Sequence, residues 1–301
     1  MERSDEQIAR LPTGIELCYD TFGNPDRPAL LLIMGLSGPM IWWHSAFCER
    51  LAERGFFVIR FDNRDIGRST KISDKPVRRI DAVQALLRGP RGRPPYTLSD
   101  MAGDAVGLLD DLGVRRAHVT GVSMGGMIAQ TMAIEHPSRV LSLVSMMSTT
   151  GRRVVGWQDP RVLPLLLRSR PPDKQAYVQQ SLTVWRLIGS PGYATPPEAE
   201  QVLAEATYDR GLSPEGVLRQ MHAILAQPDR SAALRTLDVP TLVIHGLSDK
   251  MVHVSGGRAT AEAIPGAELL LIPGMGHNLP PEIWPAIIDG IERTARRATS
   301  R

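Results

Sequence analysis

Cysteine is scarce in this chain. Cys18 and Cys48 are the only two among 301 residues, with no Cys-x-x-Cys pair, which excludes a disulfide framework and a thiolate metal knuckle. Both thiols are expected to be buried and inert, in a reducing cytoplasm. Long apolar runs are missing too. The longest, 29–34 (ALLLIM) with its flanks, falls far short of the roughly 20 residues that a membrane-spanning helix needs. The first ten residues, MERSDEQIAR, lack the apolar core of a secretion signal, so no export is expected. Neither sign of charge is in large excess. The net charge is +3, and the arginines at 78–79, over 88–93 and in the tail carry no interleaved aromatics, so they read as solvated surface and not as a nucleic-acid platform. What is present is ordinary for a globular protein: 43% hydrophobic and 22% charged, enough for one large domain or one with an insertion.

Apolar runs of strand length recur at 29–34, 56–61 (FFVIRF), 117–120 (AHVT) with its neighbours, 140–146 (VLSLVSM), 241–245 (TLVIH) and 268–272 (ELLLI). They are continuous and not alternating, as in strands covered by helices on both faces, and helical patterns separate them. The fold class is therefore α/β with a mostly parallel central sheet. Residues 15–21 (IELCYDT) alternate in part and end in Phe22-Gly23-Asn24-Pro25, an expected edge strand of an initial antiparallel segment. From about 150 the strand runs stop, and helical segments such as 173–187 and 197–208 stand between Pro-Pro and Gly breaks. Strands resume at Thr241, so 1–149 and 236–301 read as the core domain and 150–235 as a helical cap. A smaller helical pattern over 80–87 precedes RGPRGRPP, an expected exposed loop.

Gly121-Val122-Ser123-Met124-Gly125 places a serine between an apolar strand and a helical run, where a sharp bend leaves no room for side chains two positions away. Gly35-Leu36-Ser37-Gly38 and Gly246-Leu247-Ser248-Asp249 lack glycine two positions after the serine. A serine hydroxyl needs a base held by a carboxylate. Among seven histidines, His44 and His118 precede Ser123, His136 ends the following helix, His222 lies in the cap and His245 sits inside an apolar strand. His253 follows Asp249 by four residues, on what reads as the next helix. His277, in the glycine-rich 273–278 after the last strand, is the base this reading selects. Asp249, directly after strand 241–245, is the acid, although it also reads as an N-cap for a helix beginning near Lys250 or Val252.

With these residues in order, the chain resembles the α/β-hydrolases over essentially its whole length. Asp62-Asn63-Arg64-Asp65-Ile66-Gly67-Arg68-Ser69 is similar to the family's Asp-x-Arg-x-x-Gly-x-Ser loop, and Gly246 to Asp249 and Gly274 to His277 are similar to its closing pattern. The nearest likeness is the group of small carboxylesterases around aclacinomycin methylesterase. The resemblance implies a carboxylesterase or methylesterase with a Ser123-His277-Asp249 triad and an acyl-enzyme intermediate. It also implies an oxyanion hole from the Leu36 and Met124 amides. Many family members carry His-Gly where this chain has Met34-Gly35, so a histidine that braces the loop is missing.

No metal and no organic cofactor is called for. The same triad would also serve carbon-carbon cleavage, thioester or amide hydrolysis, or cofactor-free perhydrolysis, and a catalytically silent binding protein is the remaining class. Trp42, Trp43, Trp185 and Met221 are the residues expected at the substrate, a small ester with an apolar group, although core packing explains many aromatics equally. A homo-oligomer is left open.

Overall fold

In the computed structural model the described residues are 3–299 apart from 75, 79, 82–83, 85–92, 163, 165–170 and 172. The helix read over 80–87 and the loop after it lie largely outside them. One sheet of eight strands organises the chain. It comprises β1 (Gln7–Arg10), β2 (Glu16–Phe22), β3 (Ala29–Ile33), β4 (Phe57–Phe61), β5 (Ala117–Val122), β6 (Val140–Met146), β7 (Thr241–Gly246) and β8 (Glu268–Ile272), in the order β1-β2-β4-β3-β5-β6-β7-β8. β1 and β2 pair antiparallel, as do β2 and β4, and every later pairing is parallel. This corrects the expectation for residues 15–21: β2 lies inside the sheet, and the edge is β1. Only Ala9 of that short strand is buried, so it carries no apolar run to read. β8 is the other edge, where Leu269 is exposed on a run that reads as fully covered.

Between and around the strands lie α1 (Ser45–Glu53), α2 (Leu98–Asp111), α3 (Met124–Glu135), α4 (Lys174–Ile188), α5 (Pro197–Asp209), α6 (Pro214–Ala226), α7 (Ser231–Leu234), α8 (Ser255–Ala263) and α9 (Trp284–Thr299). Their starts follow capping chemistry. Thr97 and Asp100 close a reciprocal capping box on α2, the Asp173 carboxylate accepts from the Ala176 N–H at 2.8 Å, and α5 and α6 each begin with proline in the first turn.

Strand parity divides the core. Leu31, Ile33, Ile59, Val119 and Leu143 face α2 and α3, with α7 and α8 on the same side through Leu234 and Ala263. Leu30, Leu32, Val58, Val144 and Leu242 face α1 and α9 through Phe47, Leu51, Ile287 and Ile291. Because successive side chains point to opposite faces, a strand covered on both must be apolar throughout. α4 to α7 occupy the connection between β6 and β7, and α4 and α5 share a small core of Tyr177, Val178, Leu182 and Ala204. The Arg230 N–H donates to the Thr150 carbonyl at 2.9 Å, so the two ends of the stretch 150–230, which holds α4 to α6, meet. Among the described residues no helix is long and apolar enough to cross a membrane.

Candidate active site

β5 runs into Ser123, whose φ of 57° and ψ of −119° turn the chain sharply into α3. That left-handed φ is disfavoured for a residue with a Cβ, by roughly 1–2 kcal/mol, so the surroundings must hold it. They do so from both sides: the Ser123 N–H donates to the Met146 carbonyl at 2.8 Å, and its carbonyl accepts from the Ser148 hydroxyl at 2.8 Å. The flanking glycines are required by space. A Cβ on Gly121 would collide with the Gly125 carbonyl, and one on Gly125 with the Ile33 carbonyl. The serine side chain itself stays partly exposed at the carboxyl edge of the sheet.

Two elements pack beside this serine. Met124 is the first residue of α3, where N–H groups have no partner within the helix and the helix dipole favours negative charge. Opposite it, the turn after β3 lies so close that a Cβ on Gly35 would stand 3.1 Å from Ser123 Cβ. The Leu36 amide belongs to that turn.

Asp249 and His277 leave the same edge, after β7 and β8. His277 Nδ1 lies 2.7 Å from Asp249 Oδ2, the carboxylate being fully buried and the imidazole 10% exposed. Asp249 Oδ1 accepts from the Met251 and Val252 amides, each at 2.9 Å. The capping alternative is thus realised by the second oxygen, on a turn, while the first is left for the histidine. With Nδ1–H bound to the carboxylate, the ring presents Nε2 as an acceptor. His277 and the glycine before it are clasped by the end of α4 and the residues just beyond that helix. The His277 N–H donates to the Ile188 carbonyl at 2.7 Å, the Gly276 N–H to Ser190 Oγ at 2.8 Å, and a Cβ on Gly276 would collide with the Gly189 carbonyl.

Four of the other histidines have structural places. His253 precedes α8 and does not lie on it, contrary to the helical expectation; its Nδ1 is 2.9 Å from Ser255 Oγ and its ring stacks on Trp157. His245 Nε2 donates to the Val252 carbonyl at 2.8 Å and stands 3.6 Å from Asp249 Oδ2. Burial lowers its pKa, which keeps the ring neutral beneath the acid. His44 caps α1, and His118 Nδ1 meets Ser142 Oγ at 2.8 Å.

Of the four residues expected at the substrate, Trp42 and Trp185 meet edge to face, their ring centroids 5.2 Å apart, and Trp42 Nε1 donates to Thr207 on α5 at 2.9 Å. Met221 is buried on α6. Trp43 is a correction: it is fully buried and stacked on Phe47 in the α1 side of the core, because adjacent residues cannot both face the same space at the end of a short helical turn.

The residues 62–65 join distant parts of the chain. Asp62 Oδ1 accepts from the Met40 amide at 2.7 Å, and Oδ2 from the Arg68 amide and from Arg210 Nε, both at 2.8 Å. Burial pushes the Asp62 carboxyl up, an effect that the Arg210 guanidinium opposes. Asn63 donates to the Met34 carbonyl at 2.8 Å, Arg64 forks onto Asp104 of α2, and Asp65 receives Tyr96 and both arms of Arg219 on α6. Arg210, Arg219 and Gln220 are the functional-site neighbours that the sequence reading missed. Nothing in their local pattern sets them apart from the chain's other polar helix residues. Among the described residues no group of three or more His, Cys, Asp or Glu is arranged to hold a metal ion.

Residues 28–282 match the family described as alpha/beta hydrolase fold. The chain is 29% identical over 307 residues to a rhodomycin D methylesterase from Streptomyces sp. (strain C5), covering 95% of this chain and 96% of the relative. It is 27% identical over 251 residues to 3-oxoadipate enol-lactonase 2 from Acinetobacter baylyi (strain ATCC 33305 / BD413 / ADP1), covering 83% and 82%. The crystal structure of an enol-lactonase from Burkholderia xenovorans LB400 superposes with a TM-score of 0.72 over 98% of this chain and 100% of that one, at 22% identity, a likeness of fold.

Proposed function

The chain belongs to the alpha/beta hydrolase fold family, and from that premise we propose that it hydrolyses carboxylic esters through an acyl-enzyme on Ser123. One observation carries the reading: the 2.7 Å contact of Asp249 with His277, on the sheet edge where a strained turn presents Ser123. In this reading His277 Nε2 takes the hydroxyl proton as Ser123 Oγ attacks the ester carbonyl. The Met124 and Leu36 amides receive the developing oxyanion, each worth about 3 kcal/mol of barrier lowering. Asp249 stabilises the imidazolium, which then protonates the departing alcohol. Water, deprotonated by the same Nε2, attacks the acyl-enzyme and releases the acid and Ser123.

Residues 150–235 serve as the cap, with Trp42, Trp185 and Met221 as the apolar wall against one side of the ester. The relatives' names, a methylesterase and an enol-lactonase, favour a lactone or an ester with a small alcohol part such as methyl. The two buried thiols fit a reducing compartment, the cytoplasm. The test is release of p-nitrophenol from p-nitrophenyl butyrate, with mapping of the acylated peptide. The reading expects turnover that disappears in Ser123→Ala and an acyl group on Ser123. Equal turnover by the variant, or acylation elsewhere, would overturn it.

A further inference from the structure

The turn that brings Leu36 to Ser123 is not self-sufficient. It spans residues 35–38, closed by the Gly38 N–H donating to the Gly35 carbonyl at 3.3 Å, and its third residue, Ser37, has a φ of 63°. A positive φ at that position is the mark of a type II turn and is normally filled by glycine. A serine there gains from relaxing, and the available relaxation is a flip of the Leu36–Ser37 peptide.

The groups that oppose the flip are few. Met34 has no polar side-chain donor to brace the loop, and Asn63 and Asp62 hold only its ends, at the Met34 carbonyl and the Met40 amide. At its centre the Ser37 N–H donates to Gln220 Oε1 at 3.0 Å. Gln220 is fully buried, and its Nε2 donates to the Arg64 carbonyl at 3.0 Å, so both ends of the carboxamide are engaged and its orientation is fixed. The helix bearing it is fixed as well. Gly216, one turn earlier on the same face of α6, lies against Asp65, where a Cβ would stand 2.6 Å from Asp65 Cβ. Arg219 grips the same carboxylate at 2.9 and 2.7 Å.

We propose that Gln220 is a positioning residue for the oxyanion hole. Its carboxamide holds the Leu36–Ser37 peptide in the type II orientation, and this keeps the adjoining Gly35–Leu36 peptide, which carries the Leu36 N–H, from shifting away from the carbonyl oxygen as the turn relaxes. This rests on the ester-hydrolysis reading above. The bond from Gln220 to the turn takes the place of a histidine within the turn itself.

The experiment compares wild type, Gln220→Leu, Ser37→Gly and the double variant on p-nitrophenyl butyrate, together with inhibition by a short-chain trifluoromethyl ketone, whose adduct with Ser123 places an oxyanion in the hole. In Gln220→Leu kcat falls ~10–100-fold with KM within about twofold, since a misaimed donor forfeits part of what a deleted donor costs. The ketone weakens by a similar factor. Ser37→Gly, which removes the strain at the turn, restores much of the kcat lost in Gln220→Leu, a coupling that loss of packing alone does not produce. Where the leucine variant does not fold, Gln220→Glu, which keeps an acceptor for the Ser37 N–H, is read against wild type and Gln220→Met: kcat within about tenfold of wild type in the glutamate variant with a larger loss in the methionine variant supports the proposal, and equal kcat in the two overturns it. Unchanged kcat in folded Gln220→Leu, or a lower kcat with undiminished ketone binding, overturns the proposal. Ser123→Ala is the separate control: if its turnover equals that of wild type, the ester-hydrolysis reading fails and this proposal with it.

Discussion

Asp249 gives one oxygen to the turn and the other to His277, so the two can be separated by substitution. Asp249→Asn keeps an oxygen for the Met251 and Val252 amides but sets an NH2 against His277 Nδ1, which forces the imidazole into the other tautomer. We expect kcat to fall ~10³–10⁴-fold with little change in thermal midpoint, measured on p-nitrophenyl butyrate and by scanning calorimetry. A comparable fall in stability would instead make Asp249 a structural cap. The contact of Asp249 with His277 and the sharp turn at Ser123 were legible because each of the three residues lies in the turn or loop after a strand, and their order along the chain selects among many serines and histidines. Gln220 was not. Its partners Ser37 and Arg64 are 183 and 156 residues away, and a glutamine on a helix carries no local sign of such a distance. Trp43 was misread for the opposite reason, since adjacent tryptophans look equivalent until the backbone sends one into the core.

The helix α6 and the residue after α5 are docked by buried charge. Arg210 and Asp62 form a pair at 2.8 Å with side chains 5% and 0% exposed, so removing one partner leaves an uncompensated charge out of water. Arg210→Met should destabilise by ~3–5 kcal/mol. The added substitution Asp62→Asn should cost far less than it does in the wild-type background, because the charge it removes is already orphaned. Urea titration of the two single variants and the double variant checks this, and strictly additive losses would disprove the coupling. Central strands and helices were legible, with β6 at the expected residues, because burial on both faces imposes an unbroken apolar run; β8 also lies at the expected residues, although it is an edge strand with only Ile272 buried. β1 was hidden: a four-residue edge strand with one buried side chain is held by backbone pairing to β2, which any sequence supplies.

Titration of the whole fold should reveal its buried imidazoles. Burial, helped by the nearby Arg116 charge, pushes His118 down to about 4 from an ordinary value near 6.5. Above 6.5 the ring is neutral in both states. As pH falls from 6.5 towards 4 the unfolded chain takes up a proton that the folded one refuses, so stability is lost across that window, by on the order of 3 kcal/mol. His245 is shifted in the same direction. His118→Gln, which keeps a partner for Ser142, should flatten the fall in urea midpoint between pH 7 and pH 4.5; an unaltered slope would assign it to other groups. Both thiols are also pushed up to about 12, first by burial, so the folded protein should take up no Ellman's reagent until denaturant is added. The hydrogen bond from Arg230 to Thr150 has a consequence for descent. Since residues 150 and 230 meet, a recombination there exchanges α4 to α6 as one piece and leaves α7, whose Leu234 packs on the sheet, in place. Yet that exchange also carries away Arg210, Arg219 and Gln220. On the roles proposed above for the cap and for Gln220, a lineage that acquires a new connection to suit a new ester must rebuild its rate at the same time, so substrate range and catalytic speed are inherited as one trait.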